Sequence, residues 1–378
     1  MSFPIQEYQA RIAALRDGMA SRNVQAALFF GQEAANYLSG FYTHGHFAFT
    51  ILCVPASGEP FMVLRQMEDA AAASTTWVQQ RYLFLDHEDP VALTARALQE
   101  HGLDGSRLMM DMQSWYLTVE RFRALQSALP NAELVAEDRL VERLRLVKSE
   151  PELQCLAKAA HIVDRAVEAA IAASKPGATE RDVAAAMTSA RILAGSSLPI
   201  DGVLTTGERT SQGHGGWTDR VLQAGDPFLY EFHGIHHHYW ARSLRSGRLG
   251  PATAQDLQTA AALIAAQDAM IARLTPGASS READLACREP LIRAGLKSRE
   301  EYTRRIGYSI GLNFRPSPGE MVAEFSPRMD FEIKAGMVFM LLVSHDGIGI
   351  GDTVAVTEHG PKLLTQLPRQ FYAEPGKA

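Results

Sequence analysis

Cysteine is scarce. Cys53, Cys155 and Cys287 are the three in a chain of 378 residues, and their wide spacing forms neither a disulfide framework nor a zinc-binding pattern. A reducing cytoplasm is the setting this usage favours. No apolar run reaches the roughly 18 residues that would span a bilayer. The opening residues Ser2-Phe3-Pro4-Ile5-Gln6-Glu7 lack a basic stretch followed by an apolar core, so neither a secretory signal nor a membrane is expected. Basic residues are not in excess: 37 Lys and Arg against 43 Asp and Glu give a net charge of −6, with no electrostatic footprint for nucleic acid. What is present is an ordinary globular composition, 46% hydrophobic and 21% charged, over a length that suits two domains.

The pattern along the chain alternates helix and strand. Ile12, Leu15 and Met19 share one face of a helix over residues 7–22, and a strand-like run follows at 26–30. Asn36-Tyr37-Leu38-Ser39-Gly40-Phe41 reads as a short helix ending in a Gly turn. Residues 47–54 read as an apolar strand with 61–64 as its hairpin partner, and a further strand at 108–110 follows a helix near 92–101. A small N-terminal α/β domain over residues 1–147 is expected, with a C-terminal domain over 148–378. The second domain opens on a long helix that Lys175-Pro176-Gly177 must stop, because Pro cannot continue a helix and Gly suits the reversal.

That stop has an echo. Lys175-Pro176-Gly177-Ala178-Thr179-Glu180-Arg181-Asp182 is matched by Thr275-Pro276-Gly277-Ala278-Ser279-Ser280-Arg281-Glu282, each after an Ala-rich helix and each ahead of another. Pro-Gly is a common helix stop, but the context suits a domain of two related halves. Strands should follow each half. Phe228, Tyr230 and Phe232 alternate with Leu229 and Glu231. The apolar run 336–343 reads as a strand buried on both faces, and 353–357 as the strand after it.

These landmarks together resemble the creatinase and aminopeptidase P family, over nearly the whole chain. Asn36 to Phe41 is similar to its N-domain Tyr-Leu-Thr-Gly-Phe element. Ala224-Gly225-Asp226, Tyr239, Arg245-Ser246, Lys334-Ala335-Gly336-Met337-Val338 and Asp352-Thr353-Val354-Ala355-Val356-Thr357-Glu358 fall in the family's order. The resemblance implies an α/β (α+β) chain whose C-terminal domain is a pita-bread fold with pseudo-twofold halves. It also implies a two-metal centre of two Asp, one His and two Glu. Carried over, those positions hold Glu231, Arg242, Tyr308, Leu342 and Gly351. Arg and Leu donate no electron pair to a divalent cation, so no metal and no other cofactor is expected.

Within the family the resemblance is closest to the metal-free ectoine hydrolase branch, through Gly307-Tyr308-Ser309-Ile310-Gly311-Leu312 and Arg315-Pro316-Ser317-Pro318-Gly319-Glu320. Leu244 and Leu342 stand where creatinase would carry Glu. The activity implied is hydrolysis of a non-peptide C–N bond in a small zwitterion, such as opening a cyclic amidine. Glu231 would then be nucleophile or general base, His214 in Gly213-His214-Gly215-Gly216 an acid or base, and Tyr308 a hydrogen-bond donor to the intermediate. Arg242 would clamp a carboxylate. His233, Glu320 and Asp352 are further expected substrate contacts, although Asp352 also suits a strand brace. His44 and His46 resemble elements that reach a neighbouring subunit's site, which implies a homodimer.

Blander roles stand beside these. Glu231 and Arg242 would make a structural ion pair across a hairpin, His214 an exposed loop residue, Tyr308 core filler, and His236 to His238 a hairpin tip. Two other functions stay open: a metal-dependent Xaa-Pro peptidase or lyase with an unusual site, and a non-catalytic small-molecule binder.

Overall fold

The computed structural model describes residues 2–45, 47–199, 202–297, 304–315, 320 and 322–373. Two units emerge, residues 1–145 with 314–317, and residues 146–313 with 318–378. No helix among the described residues is long and apolar enough to cross a membrane.

The first unit is a six-stranded α/β sheet. Its elements in chain order are α1 (Ile5–Ala20), β1 (Ala26–Phe29), α2 (Gln32–Ser39), β2 (Thr50–Pro55), β3 (Phe61–Arg65), α3 (Asp69–Thr75), β4 (Gln80–Phe84), α4 (Pro90–Glu100), β5 (Arg107–Met110), α5 (Val119–Ala128), β6 (Glu133–Ala136) and α6 (Leu140–Leu144). The strand order is β4-β3-β2-β1-β5-β6. β2 pairs antiparallel with β1 and β3, so the expected hairpin forms. It begins later than its apolar run suggested: Phe47 is 71% exposed and the ladder starts at Thr50. α2 stops where Gly40 takes φ 79, the left-handed cap that a Cβ would strain.

The second unit has α7 (Glu150–Ala173), α8 (Glu180–Leu193), β7 (Val203–Thr206), β8 (Pro227–His236), β9 (Tyr239–Arg248), α9 (Ala254–Ile271), α10 (Ser280–Arg293), β10 (Gly307–Ser309), β11 (Glu324–Phe325), β12 (Val338–His345), β13 (Ile348–Thr357), β14 (Gly360–Leu363) and β15 (Tyr372–Ala373). Its sheet runs β11-β10-β12-β13-β9-β8-β7, with β14 on β13 and β15 on β9. α7 starts where the Ser149 N–H donates to the Glu152 carboxylate at 2.9 Å and ends ahead of Gly177 at φ 91.

All four helices cover one face. On β8, Phe228, Tyr230 and Phe232 stack at 4.7 and 5.6 Å and pack with Ala159, Val163 and Val167 of α7. On the other half, Phe339, Leu341 and Val343 of β12 pack with Leu263, Met270 and Leu291. Because side chains alternate along a strand, the residues between these point to the opposite face. That face carries Glu231, Leu342 and their cross-strand partners.

The two helix pairs repeat bond for bond. Gly177 N–H donates to Leu222 O at 2.8 Å and Gly277 N–H to Ile333 O at 2.8 Å; Leu222 N–H reaches Ala178 O at 2.8 Å and Ile333 N–H reaches Ala278 O at 2.9 Å. The halves expected from the Pro-Gly echo are therefore present in the backbone.

Candidate active site

The β8–β9 hairpin sets the register. His237 and His238 take φ 48 and 65 at its tip, a two-residue turn whose twist matches the flanking strands. Glu231 then faces Leu244, Leu244 faces Gly351, and Gly351 faces Leu342. In the neighbouring row His233 faces Arg242, Thr353 faces Met340, and Met340 faces Tyr308. The rows meet between β9 and β13. There the Thr353 hydroxyl accepts the Arg242 N–H at 2.9 Å and donates to the Arg242 carbonyl at 2.8 Å. Positions far apart in sequence are thereby gathered on one face.

Arg242 is the centre of the group. Its Nη1 donates to the Tyr308 hydroxyl at 2.7 Å and stands 3.8 Å from Glu231 Oε1. The first is a charge-assisted hydrogen bond; the second is an ion pair too long to be one. The two side chains are 15% and 14% exposed. The Arg242 Nε–H is buried and has no acceptor among the described residues. Arg305 lies over the same phenol, its guanidinium carbon 4.7 Å from the ring centre against 5.2 Å for Arg242, and pairs with Glu324 at 3.6 Å.

Burial pushes the Tyr308 hydroxyl above its usual range; Arg242 opposes this and Glu231 adds to it. Tyr308 therefore keeps its proton at neutral pH. Since its oxygen accepts from Arg242, that proton is directed elsewhere and can be donated.

Residues present at the five positions do not fit a divalent metal centre. Glu231 supplies one carboxylate, while Arg242 places a cation where a ligand would be needed. Among the described residues no group of three His, Cys, Asp or Glu is arranged to hold an ion. Space is closed as well. A Cβ on Gly351 would lie 2.6 Å from Met340 Cε and 2.9 Å from Leu244 Cβ. The volume an acidic side chain would use is thus filled by a thioether and a branched aliphatic. One carboxylate beside one guanidinium is close to electroneutral. Gly351→Ala is expected to destabilise the protein by about 1–3 kcal/mol through overpacking, since Leu244 Cβ cannot swing away. Urea denaturation measures this, and an unchanged midpoint would show that the plug is loose.

Other expected site residues fall in different places. His233 is buried beside Arg242 in the register, its ring edge-on to Trp240 at 5.2 Å. His214 is exposed in the loop after β7. The next residue, Gly215, accepts the Leu204 N–H at 3.0 Å, and Leu204 pairs with Tyr230, one residue from Glu231.

Glu320, expected as a substrate contact, is placed in an internal ion pair. Its carboxylate meets Lys148 Nζ at 2.7 Å, both side chains are 1% exposed, and its charge is answered from within the protein. Asp352 lies on the helix-covered face, 0% exposed, bonded to Arg245 at 2.7 Å, Thr365 at 2.9 Å and Arg369 at 3.1 Å. The blander strand-brace role describes it. His46 lies outside the described residues; His44 is exposed, with Nδ1 3.3 Å from the Tyr42 hydroxyl.

Three participants were not anticipated. Thr353 bridges β9 to β13, Met340 fills the ligand volume, and Arg305 flanks Tyr308. For two of them the signal was in the register: Thr353 and Met340 are two residues along from Gly351 and Leu342 on the same face.

Residues 154–358 match the model for metallopeptidase family M24, and residues 11–147 match the creatinase/prolidase N-terminal domain. Among similar proteins, the putative dipeptidase YkvY of Bacillus subtilis is 26% identical over 367 residues, covering 96% of this chain and 99% of that protein. The ectoine hydrolase of Halomonas elongata is 22% identical over 397 residues, covering 99% of each. The crystal structure of dipeptidase PepE from Mycobacterium ulcerans superposes with a TM-score of 0.85 at 27% identity, covering 99% of both chains. The chain therefore belongs to metallopeptidase family M24, a family of hydrolases, and carries the creatinase/prolidase N-terminal domain ahead of its pita-bread domain.

Proposed function

We propose that this protein is a metal-independent hydrolase of a non-peptide C–N bond in a small zwitterion, opening a cyclic amidine in the manner the ectoine hydrolase relative suggests. The observation that carries the reading is the long Glu231–Arg242 pair, 3.8 Å apart, with Tyr308 on the guanidinium. A zwitterion can exchange partners with such a pair: its carboxylate goes to Arg242 and its cationic group to Glu231. No tight hydrogen bond between the two residues is broken.

An amidinium carbon is already electrophilic and needs no Lewis acid. Glu231 takes a proton from the water that attacks this carbon, or attacks the carbon directly. In the direct route the C–N bond breaks as the ring nitrogen takes a proton from solvent, and water then cleaves the covalent adduct to give the amide and restore the carboxylate. In the water route, oxygen adds to the carbon, and the proton held by Glu231 passes to the ring nitrogen as the C–N bond breaks. Amide and ammonium are the products. Tyr308 donates its hydrogen bond to the tetrahedral adduct. His214 is a second acid–base group within this reading, acting on a small cytoplasmic solute in a homodimer.

The relatives named as dipeptidases favour a second reading, hydrolysis of a peptide C–N bond. The donor set weighs against the metal centre that such a reading requires. Chelator-treated, dialysed protein is expected to open ectoine or a related cyclic amidine, followed by proton NMR, and to leave Xaa-Pro dipeptides intact. Turnover of the dipeptides that appears only when Mn2+ or Zn2+ is restored would overturn the proposal, as would survival of every cyclic amidine and small amide offered.

A further inference from the structure

We infer that Glu180 is a positioning residue for His214, a role that rests on the proposed reading. The molecule supplies its own control, because the two halves of the pita-bread unit build the same helix start twice. Glu180 N–H donates to Arg220 O at 3.0 Å, and its counterpart Ser280 N–H donates to Phe331 O at 2.9 Å. In the second half the Ser280 hydroxyl accepts one further bond, from Phe331 N–H at 2.9 Å. That half folds without a carboxylate, so the architecture does not require one at this position.

In the first half the same position carries a fully buried acid, 0% exposed. Glu180 Oε1 accepts from the Thr206 N–H at 3.0 Å and its hydroxyl at 2.8 Å. Oε2 accepts from the Thr218 N–H at 2.8 Å, the Thr218 hydroxyl at 2.7 Å, and Arg209. Arg209 in turn donates to Gly216 O at 2.7 Å. Desolvating a carboxylate is costly unless it is paired and hydrogen-bonded, and here both conditions are met by one segment.

Thr206 and Thr218 bracket that segment, and His214 lies within it. Glu180 thus clips the two ends of the loop together, which removes the freedom those ends would otherwise have to separate. Beyond the clip the tip is open: a Cβ on Gly213 or Gly216 would meet nothing within 4 Å. The tip is tied to β7 by the Gly215 carbonyl, beside the strand that carries Glu231. Base and tie together hold the His214 backbone beside β7, the strand next to the one that carries Glu231, while its ring stays exposed.

Glu180→Gln is the test. Wherever the amide is placed, its NH2 faces a backbone N–H of Thr206 or Thr218, donor against donor. In the full chain, amide exchange at residues 204 and 215–218 is expected to rise at least about tenfold. Exchange at the matching bonds of the other half, Gly277 and Ile333, should not change. The His214 ring resonance, assigned by its absence in His214→Ala, should move. With a cyclic amidine as substrate, kcat should fall about tenfold, with the pH limb that His214→Ala removes displaced and KM little altered.

Unmoved exchange and an unmoved His214 resonance overturn the clip, whatever the turnover. Changed exchange with an unaltered pH profile keeps the clip as a structural feature only and overturns the positioning role for His214. Should the wild-type protein turn over no substrate while the resonance and loop exchange respond, the clip stands and the proposed hydrolase fails. If Glu180→Gln does not fold, Thr218→Val, which removes one hydroxyl arm, is read by the same measurements.

Discussion

Turnover by Glu231→Gln is expected to fall about 10²- to 10⁴-fold, with thermal stability close to that of the wild-type protein. Gln keeps the size and one carbonyl acceptor but loses the charge and the proton-accepting capacity. The small stability change follows from geometry. The carboxylate makes no hydrogen bond to Arg242 at 3.8 Å, and Arg242 retains Tyr308 at 2.7 Å when the charge is removed. Arg242→Met supplies the contrast. If the guanidinium clamps a substrate carboxylate equally in ground and transition states, KM rises while kcat holds. Full activity in Glu231→Gln, measured as initial rates on chelator-treated protein, would leave Glu231 as a structural ion-pair partner and end the hydrolase reading based on it.

Arg245→Met is expected to cost about 3–5 kcal/mol, a fall in midpoint of about 10 °C. Arg245 and Asp352 are both 0% exposed and meet at 2.7 Å. Arg245 also donates to the carbonyls of Leu244 at 2.9 Å, Gly351 at 2.8 Å, Leu367 at 2.7 Å and Pro368 at 3.1 Å. Removing it takes the nearer of two cations from a buried carboxylate, which keeps Arg369 at 3.1 Å, and strands those carbonyl acceptors. The double variant Arg245→Met/Asp352→Leu should recover much of the loss, because no uncompensated charge remains. This result separates the brace from a substrate contact. Calorimetry reads the stability, and substrate KM at a temperature where every variant is folded should be unchanged. A raised KM with full stability would return Asp352 to the site.

Much of this organisation was legible because two periodicities do most of the specifying. Strand alternation put Glu231 on the face opposite Phe228, Tyr230 and Phe232, and the positive-φ turn at His237 and His238 then set which β9 residues face it. The helix stop at Pro176 and its echo at Pro276 follow from what Pro and Gly do to a helix, so the two halves could be read before their backbones were seen.

Partnerships between distant residues were not legible. Glu320 looked available in its Pro-rich loop, yet Lys148, 172 positions away, takes its charge. Asp352 adjoins Gly351 in sequence but points to the opposite face, a consequence of one residue's step along β13. Glu180 stands in the first turn of α8, where an acid favours the helix dipole; only the loop folded back onto it shows five donors converging.

The chain by itself determined which donors the five positions offer. The side chains of an Arg, a Leu and a Gly offer no electron pair to a dication in any fold, so the side-chain donor set follows from residue identity alone. Tertiary structure decided what replaced it. Whether Arg242 would cancel Glu231, hold Tyr308, or turn away depended on a sheet register linking β8, β9, β10, β12 and β13. The packing of Met340 and Leu244 around Gly351 depended on the same register. Charge and hydrogen-bond capacity are properties of a residue, whereas the distance over which they act is a property of the fold.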